Sequence, residues 1–342
     1  MILKALGAIF ALALLLALTL WAFGIPVLEG FRLMAEGAGA DKFAWSRTLV
    51  KATPLLLTGL GMVVAWRGGM YNIGGEGQFI VGGLFSATLA ELILTRNIAT
   101  PPILAIPLLL ILSALGGAVW AWLAGWLFVR RGVDVVISTI LLNFVAIQFL
   151  AYAVTGPLRE KPDNVPLTRA IPEAYMLWRP DRQMDLHAGV VIAAMMAIVI
   201  AIYLYRTKAG FNVRLAGESP RVARANRIDA DKMRLQAMLV SGALCGLAGG
   251  IEYIGMARQL GTGFSQNWGF LGIPVALLSG LDPLLAMLSA LLFGALFAGS
   301  ENLARFTSAG PTLIYIVQAG AVLGIVALRA FRSRRVIQTP AT

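Results

Sequence analysis

RGGMYNIGGEGQFIVGG, residues 67–83, is the stretch on which the fold turns. Seven of its 17 residues are glycine, and Asn72, Glu76 and Gln78 stand among them. Apolar runs at about 49–66 and 78–94 flank it, each long enough to cross a bilayer. Glycine-rich backbone makes a poor helix. Hydrocarbon accepts broken backbone and ionisable side chains only where protein or a water-filled cavity satisfies them. The stretch therefore faces a polar path or a tight protein seam, not lipid.

Composition agrees with a membrane setting. Of 342 residues, 58% are hydrophobic and 13% charged, against about 25% charged in soluble proteins. The fold class is an all-α polytopic membrane protein. A single cysteine, Cys245, excludes a disulfide framework within the chain. The net charge of +11 raises the question of nucleic acid. In a membrane protein, lysine and arginine first report topology, and that suffices here without a nucleic-acid partner.

Working outward, ten apolar spans are expected at about 2–28, 49–66, 78–94, 103–129, 133–154, 186–205, 235–254, 268–279, 284–298 and 313–328. The first has too long an apolar core for a signal peptide, and Ile25-Pro26 would make a poor mature start. A polar segment, 156–185, separates the halves, and a basic loop, 206–234, follows the sixth span. With both termini cytoplasmic, 16 Lys and Arg lie inside and 12 outside. Arg130-Arg131 and the cluster Arg329, Arg332, Arg334 and Arg335 are the strongest votes. Spans two to five then oppose spans seven to ten in sense, as in transporters built from inverted repeats.

Three polar groups within seven residues, Asn72, Glu76 and Gln78, either hold a helix break or line a cavity. For Glu76 two roles stand open: capping the start of the third span, or touching a solute. Asp134 opens the fifth span, which places Ser138 or Thr139 near Asn143 on one face, with Gln148 roughly in line. Such neutral groups either bond across helices or line a route for a neutral polar solute. Gly242, Gly246 and Gly250 form a ridge at intervals of four, a helix-packing face. His187 has no metal-ligand companions and sits at a membrane edge.

In the basic loop, Gly217-Glu218-Ser219-Pro220 is a helix start, with Ser219 as N-cap and Pro220 at the first helical position. A helix from there sets Arg221, Arg224 and Arg227 on one stripe. It either lies on anionic headgroups or acts as a lever in a cytoplasmic partner. None of the six lysines follows a glycine, so the chain carries no phosphate loop, and no metal cluster or nucleophile elbow is present.

Three segments resemble the permeases of ABC importers for nucleosides and simple sugars, related to the branched-chain amino-acid and ribose permeases. They are 52–83, 132–158 and 207–250, with cores NIGGEGQ at 72–78 and VISTILLN at 136–143. The resemblance implies a type II importer fold in a bacterial inner membrane, with no cofactor in this chain and ATP on a separate ATPase subunit. It further implies a second permease subunit and an extracytoplasmic binding protein. Residues 217–228 would be the coupling helix that docks on the ATPase. One departure is Arg227, where relatives usually carry glycine. An ion-coupled secondary transporter is the rival, and Glu76 is its one well-placed carboxylate.

Overall fold

The structure, a computed structural model, describes residues 16–160 and 165–307, together with Leu14, Ile316, Ala319 and Gly320. The helices in chain order are α1 Leu16–Ala22, α2 Val27–Gly39, α3 Lys42–Arg67, α4 Gly75–Thr95, α5 Pro102–Arg131 and α6 Val135–Thr155. They continue with α7 Gly189–Arg206, α8 Lys208–Glu218, α9 Pro220–Ala225, α10 Ala230–Glu252, α11 Trp268–Leu278 and α12 Pro283–Phe306. A π-turn, Tyr253–Ala257, extends α10. Among the described residues, seven helices are long and apolar enough to cross a membrane, and α11 is a shorter apolar helix. Apart from Ile316, Ala319 and Gly320, the expected span 313–328 lies outside the described residues, as do the C-terminal arginines.

The chain forms two compact units, 1–52 with 291–342 and 53–290. In the first, α1 and α2 meet at 115° rather than continuing as one span through residue 28. Gly24 turns the chain with φ of 70°, and Pro26, which has no N–H to donate, cannot continue a helix from α1. Leu16, Leu20, Ile25, Leu33, Met34 and Leu303 form the core of this unit. Lys51 of α3 pairs with Glu301 of α12, and the Asn302 amide donates to the Leu33 carbonyl at 2.8 Å. These partners carry α12 on to Phe306, beyond the span end expected at 298. At its other end α3 begins at Lys42 rather than 49, and the Asp41 carboxylate accepts the Ala44 N–H at 2.7 Å.

In the second unit, α10 packs against α4 and α5 through glycine. A Cβ at Gly246 would meet the Ser113 carbonyl and Gly117 of α5. One at Gly82 of α4 would meet Gly246, and one at Gly249 would meet the Phe79 carbonyl. Gly242 and Gly250 face Gly117 and Ser113 in the same way. Backbones this close gain dispersion contact that larger side chains would prevent. The basic loop is largely helical, because α8 and α9 occupy it and α10 begins at Ala230 rather than 235.

Candidate functional site: a buried helix break

Between α3 and α4 the chain leaves helical geometry from 68 to 74, and Asn72, Glu76 and Gln78 are all buried. Asn72 and Gln78 exchange two hydrogen bonds, amide to amide, each 3.0 Å. Asn72 Oδ1 also accepts the Gly74 N–H at 2.7 Å, and its Nδ2 donates to Ser241 Oγ of α10 at 2.9 Å. All four hydrogen-bonding positions of this carboxamide are filled. A buried amide so satisfied fixes one backbone course, because any shift would strand polar groups in a low dielectric.

Helix α4 begins at this break with Gly74 as N-cap and no side-chain cap of its own. The cap arrives from α6. Asn143 Oδ1 accepts the Gly77 N–H at 2.8 Å, and Asn143 Nδ2 donates to the Ile73 carbonyl at 3.0 Å. One turn earlier, Thr139 Oγ1 accepts the Ile73 N–H at 3.2 Å. Thr139, not Ser138, therefore shares the working face with Asn143; the Ser138 hydroxyl donates within its own helix, to the Val135 carbonyl at 3.1 Å. Gln148 is exposed.

Glu76 does not cap its own helix, as one reading of the sequence allowed. Its Oε2 accepts the Gly269 N–H at 2.9 Å and its Oε1 accepts the Ser265 hydroxyl. Gly269 lies in the first turn of α11, whose N-cap residue Asn267 makes no side-chain cap bond. A carboxylate there meets orphan N–H groups and the positive end of the helix dipole. The break is thus a relay in which α6 caps α4 and α4 caps α11. Ser241, Ser265 and Gly269 were not singled out in the sequence. They lie 169 to 193 residues from their partners, and a lone serine gives no local signal.

Residues 44–327 match the family described as branched-chain amino acid transport system / permease component. The chain belongs to that family. The permease is 27% identical to the glucose ABC transporter permease TsgB13 of Haloferax volcanii, over 92% of this chain and 84% of that one. It is 30% identical to the guanosine ABC transporter permease NupP of Bacillus subtilis, over 92% and 90%. A second guanosine ABC transporter permease of that organism, NupQ, is 28% identical over 84% and 91%. No solved structure matches the chain significantly.

The permease's elbow, α8 to the start of α10, is joined by Ala216, Ala223 and Ala230. Ser219 Oγ accepts the Val222 N–H at 3.4 Å, with Pro220 next in the chain. Arg221 and Arg224 are exposed on α9, which ends at Ala225. Arg227 is not on the stripe: it follows the helix with φ of 59°, in the left-handed region that favours glycine. Glu218, also exposed, is the last residue of α8. A Cβ on Gly217 would strike the Arg67 carbonyl, with Gly69 N at 2.7 Å. The elbow thus rests directly on the first residues of the glycine-rich stretch. Arg67 in turn donates from Nε to the Leu281 carbonyl at 3.0 Å, which ties the α11–α12 turn to the same level.

On the far side, 165–188 folds over the π-turn. The Thr168 N–H donates to the Leu260 carbonyl at 3.0 Å, and Leu177 N–H to that of Ile254 at 3.0 Å. His187 is buried there, just before α7 begins, and its Nδ1 accepts the Gly189 N–H at 3.1 Å. Burial, aided by the nearby Arg179 charge, pushes its pKa down to about 4.

Proposed function

We propose that this chain is the permease subunit of an ATP-driven importer of nucleosides or simple sugars. In this reading the elbow engages a separate ATPase on the cytoplasmic side. A second, paralogous permease and an extracytoplasmic binding protein complete the transporter in the plasma membrane. The solute class follows from the guanosine and glucose permeases to which the chain is similar. Two similar guanosine permeases in one organism support a paralogous pair. The lysine and arginine distribution supports cytoplasmic termini and a cytoplasmic elbow, and the missing phosphate loop supports ATP hydrolysis on another chain.

The observation that carries the mechanism is the backbone contact of Gly217 with Arg67 and Gly69. Motion of α9 on the ATPase reaches the glycine-rich break through packed backbone, with no flexible side chain between. Asn72, Gln78 and Asn143 hold that break and shape the path beside it. Glu76 is committed to Ser265 and Gly269, which disfavours a carboxylate that binds and releases ions during turnover.

Co-purification and ATPase assays on the complete transporter test the coupling role. Arg224→Glu should weaken ATPase association. Gly217→Ala should leave association intact while lowering solute uptake per ATP consumed. Normal association and uptake in both variants would refute the lever and favour an elbow that only lies on headgroups.

A further inference from the structure

The loop between the π-turn and α11 runs inward from the outer cap. Leu260 is bonded to Thr168 there, Phe264 packs on Gly83 and against the Phe79 ring, and Ser265 reaches Glu76. Two helices gauge how deep it goes. Helix α11 has 11 residues, a rise of about 16 Å from the turn bonded to Arg67. Independently, Thr58 Oγ1 donates to the Trp268 carbonyl at 3.1 Å, and Thr58 stands nine residues before Arg67 in α3, a rise of about 14 Å. Both place the start of α11 near the middle of a hydrocarbon layer about 30 Å thick.

At that depth stand Gln266 and Asn267, both exposed, with φ of 44° and 64°. Their neighbours on either side are pinned, Ser265 and Gly269 by the buried Glu76 carboxylate and Trp268 by Thr58. Irregular backbone at mid-bilayer depth does not face lipid; it lines a water-filled cavity or meets protein. A pair of adjacent carboxamides offers four N–H donors and two acceptor oxygens in a fixed frame and no charge.

We propose that Gln266 and Asn267 are solute-contacting residues at the middle of the translocation path. Their carboxamides read a neutral solute that presents adjacent donors and acceptors, either a nucleobase edge or neighbouring sugar hydroxyls. This rests on the permease reading above. Glu76 is the positioning residue that holds their backbone, and it does not itself meet the solute. Charged analogues are rejected because these carboxamides supply no countercharge to a desolvated ion.

The test is cysteine labelling of the assembled transporter in membranes, with Gln266→Cys or Asn267→Cys and the cationic reagent 2-(trimethylammonium)ethyl methanethiosulfonate. The native Cys245 is buried. Both positions should label, and guanosine or glucose should slow the reaction; which of them does so distinguishes base recognition from hydroxyl recognition. No labelling, the result expected if the partner permease covers the loop, overturns the proposal, as does labelling that neither solute slows. Gln266→Gly and Asn267→Gly suit the left-handed backbone and remove only the side chains. With subunit pairing unchanged, each should raise the KM for uptake roughly tenfold, and unaltered uptake kinetics overturns the proposal. Labelling needs no ATP, so solute-protected labelling without ATP-driven uptake in the parent protein would count against the importer reading alone.

Discussion

The elbow and the buried break solve one problem, how to start a helix, in opposite ways. In the elbow each helix is capped by the residue just before it: Thr207 accepts the Gly210 N–H at 3.0 Å, Ser219 that of Val222, and Asp229 those of Asp231 and Lys232, both 3.1 Å. In the break, α4 and α11 have no side-chain caps of their own, and theirs come from Asn143 and Glu76, 66 and 193 residues away. Local caps let the elbow keep its shape whatever the placement of the helices around it. Distant caps make the geometry of the break depend on how α4, α6 and α11 are placed. A shift of one helix then changes the backbone satisfaction of another.

The largest effect should come from Asn143→Ala. It strands the Gly77 N–H and the Ile73 carbonyl in a buried site, each at about 1–3 kcal/mol. Thermal unfolding of the detergent-solubilised complex should fall clearly and uptake should be lost; wild-type behaviour would break the contrast between distant and local caps. Glu76→Gln ranks next. It retains one acceptor and loses the charge at the α11 terminus, a loss of about 1–3 kcal/mol, seen as faster hydrogen exchange in α11 with α9 unchanged. Ser219→Ala removes a partly exposed local cap, so the loss should be about 1 kcal/mol and confined to α9. Exchange spreading from Ser219 into α4 would show that the elbow is not autonomous. The smallest change has the opposite sign. Arg227→Gly relieves a left-handed residue worth about 1 kcal/mol and should slow exchange at the α9–α10 junction, with no change in the break.

The same contrast governs what could be read in advance. Ser219-Pro220 announced the start of α9, and spacing alone set Gly242, Gly246 and Gly250 on one face. Asn72, Glu76, Gln78 and Asn143 stood out because polar groups are rare in such runs. Their partners did not: of the roles the sequence leaves open for Glu76, a cap on its own helix gives way to the carboxylate serving α11. The stripe of three arginines also failed at its end, where α9 stops at Ala225 and leaves Arg227 beyond it.

By itself the amino-acid order determined that the chain crosses a membrane many times, where its spans roughly lie, and which polar residues the hydrocarbon would not accept unsupported. Those conclusions rest on burial free energy and local backbone preference, which act over a few residues. Only the tertiary structure decided that Asn143 and Glu76 cap helices other than their own, that Gly217 abuts Gly69, and that Glu76 holds the residues on either side of Gln266 and Asn267. A hydrogen bond is specific at about 3 Å and indifferent to sequence separation. Which donor meets which acceptor is therefore fixed by how the helices pack.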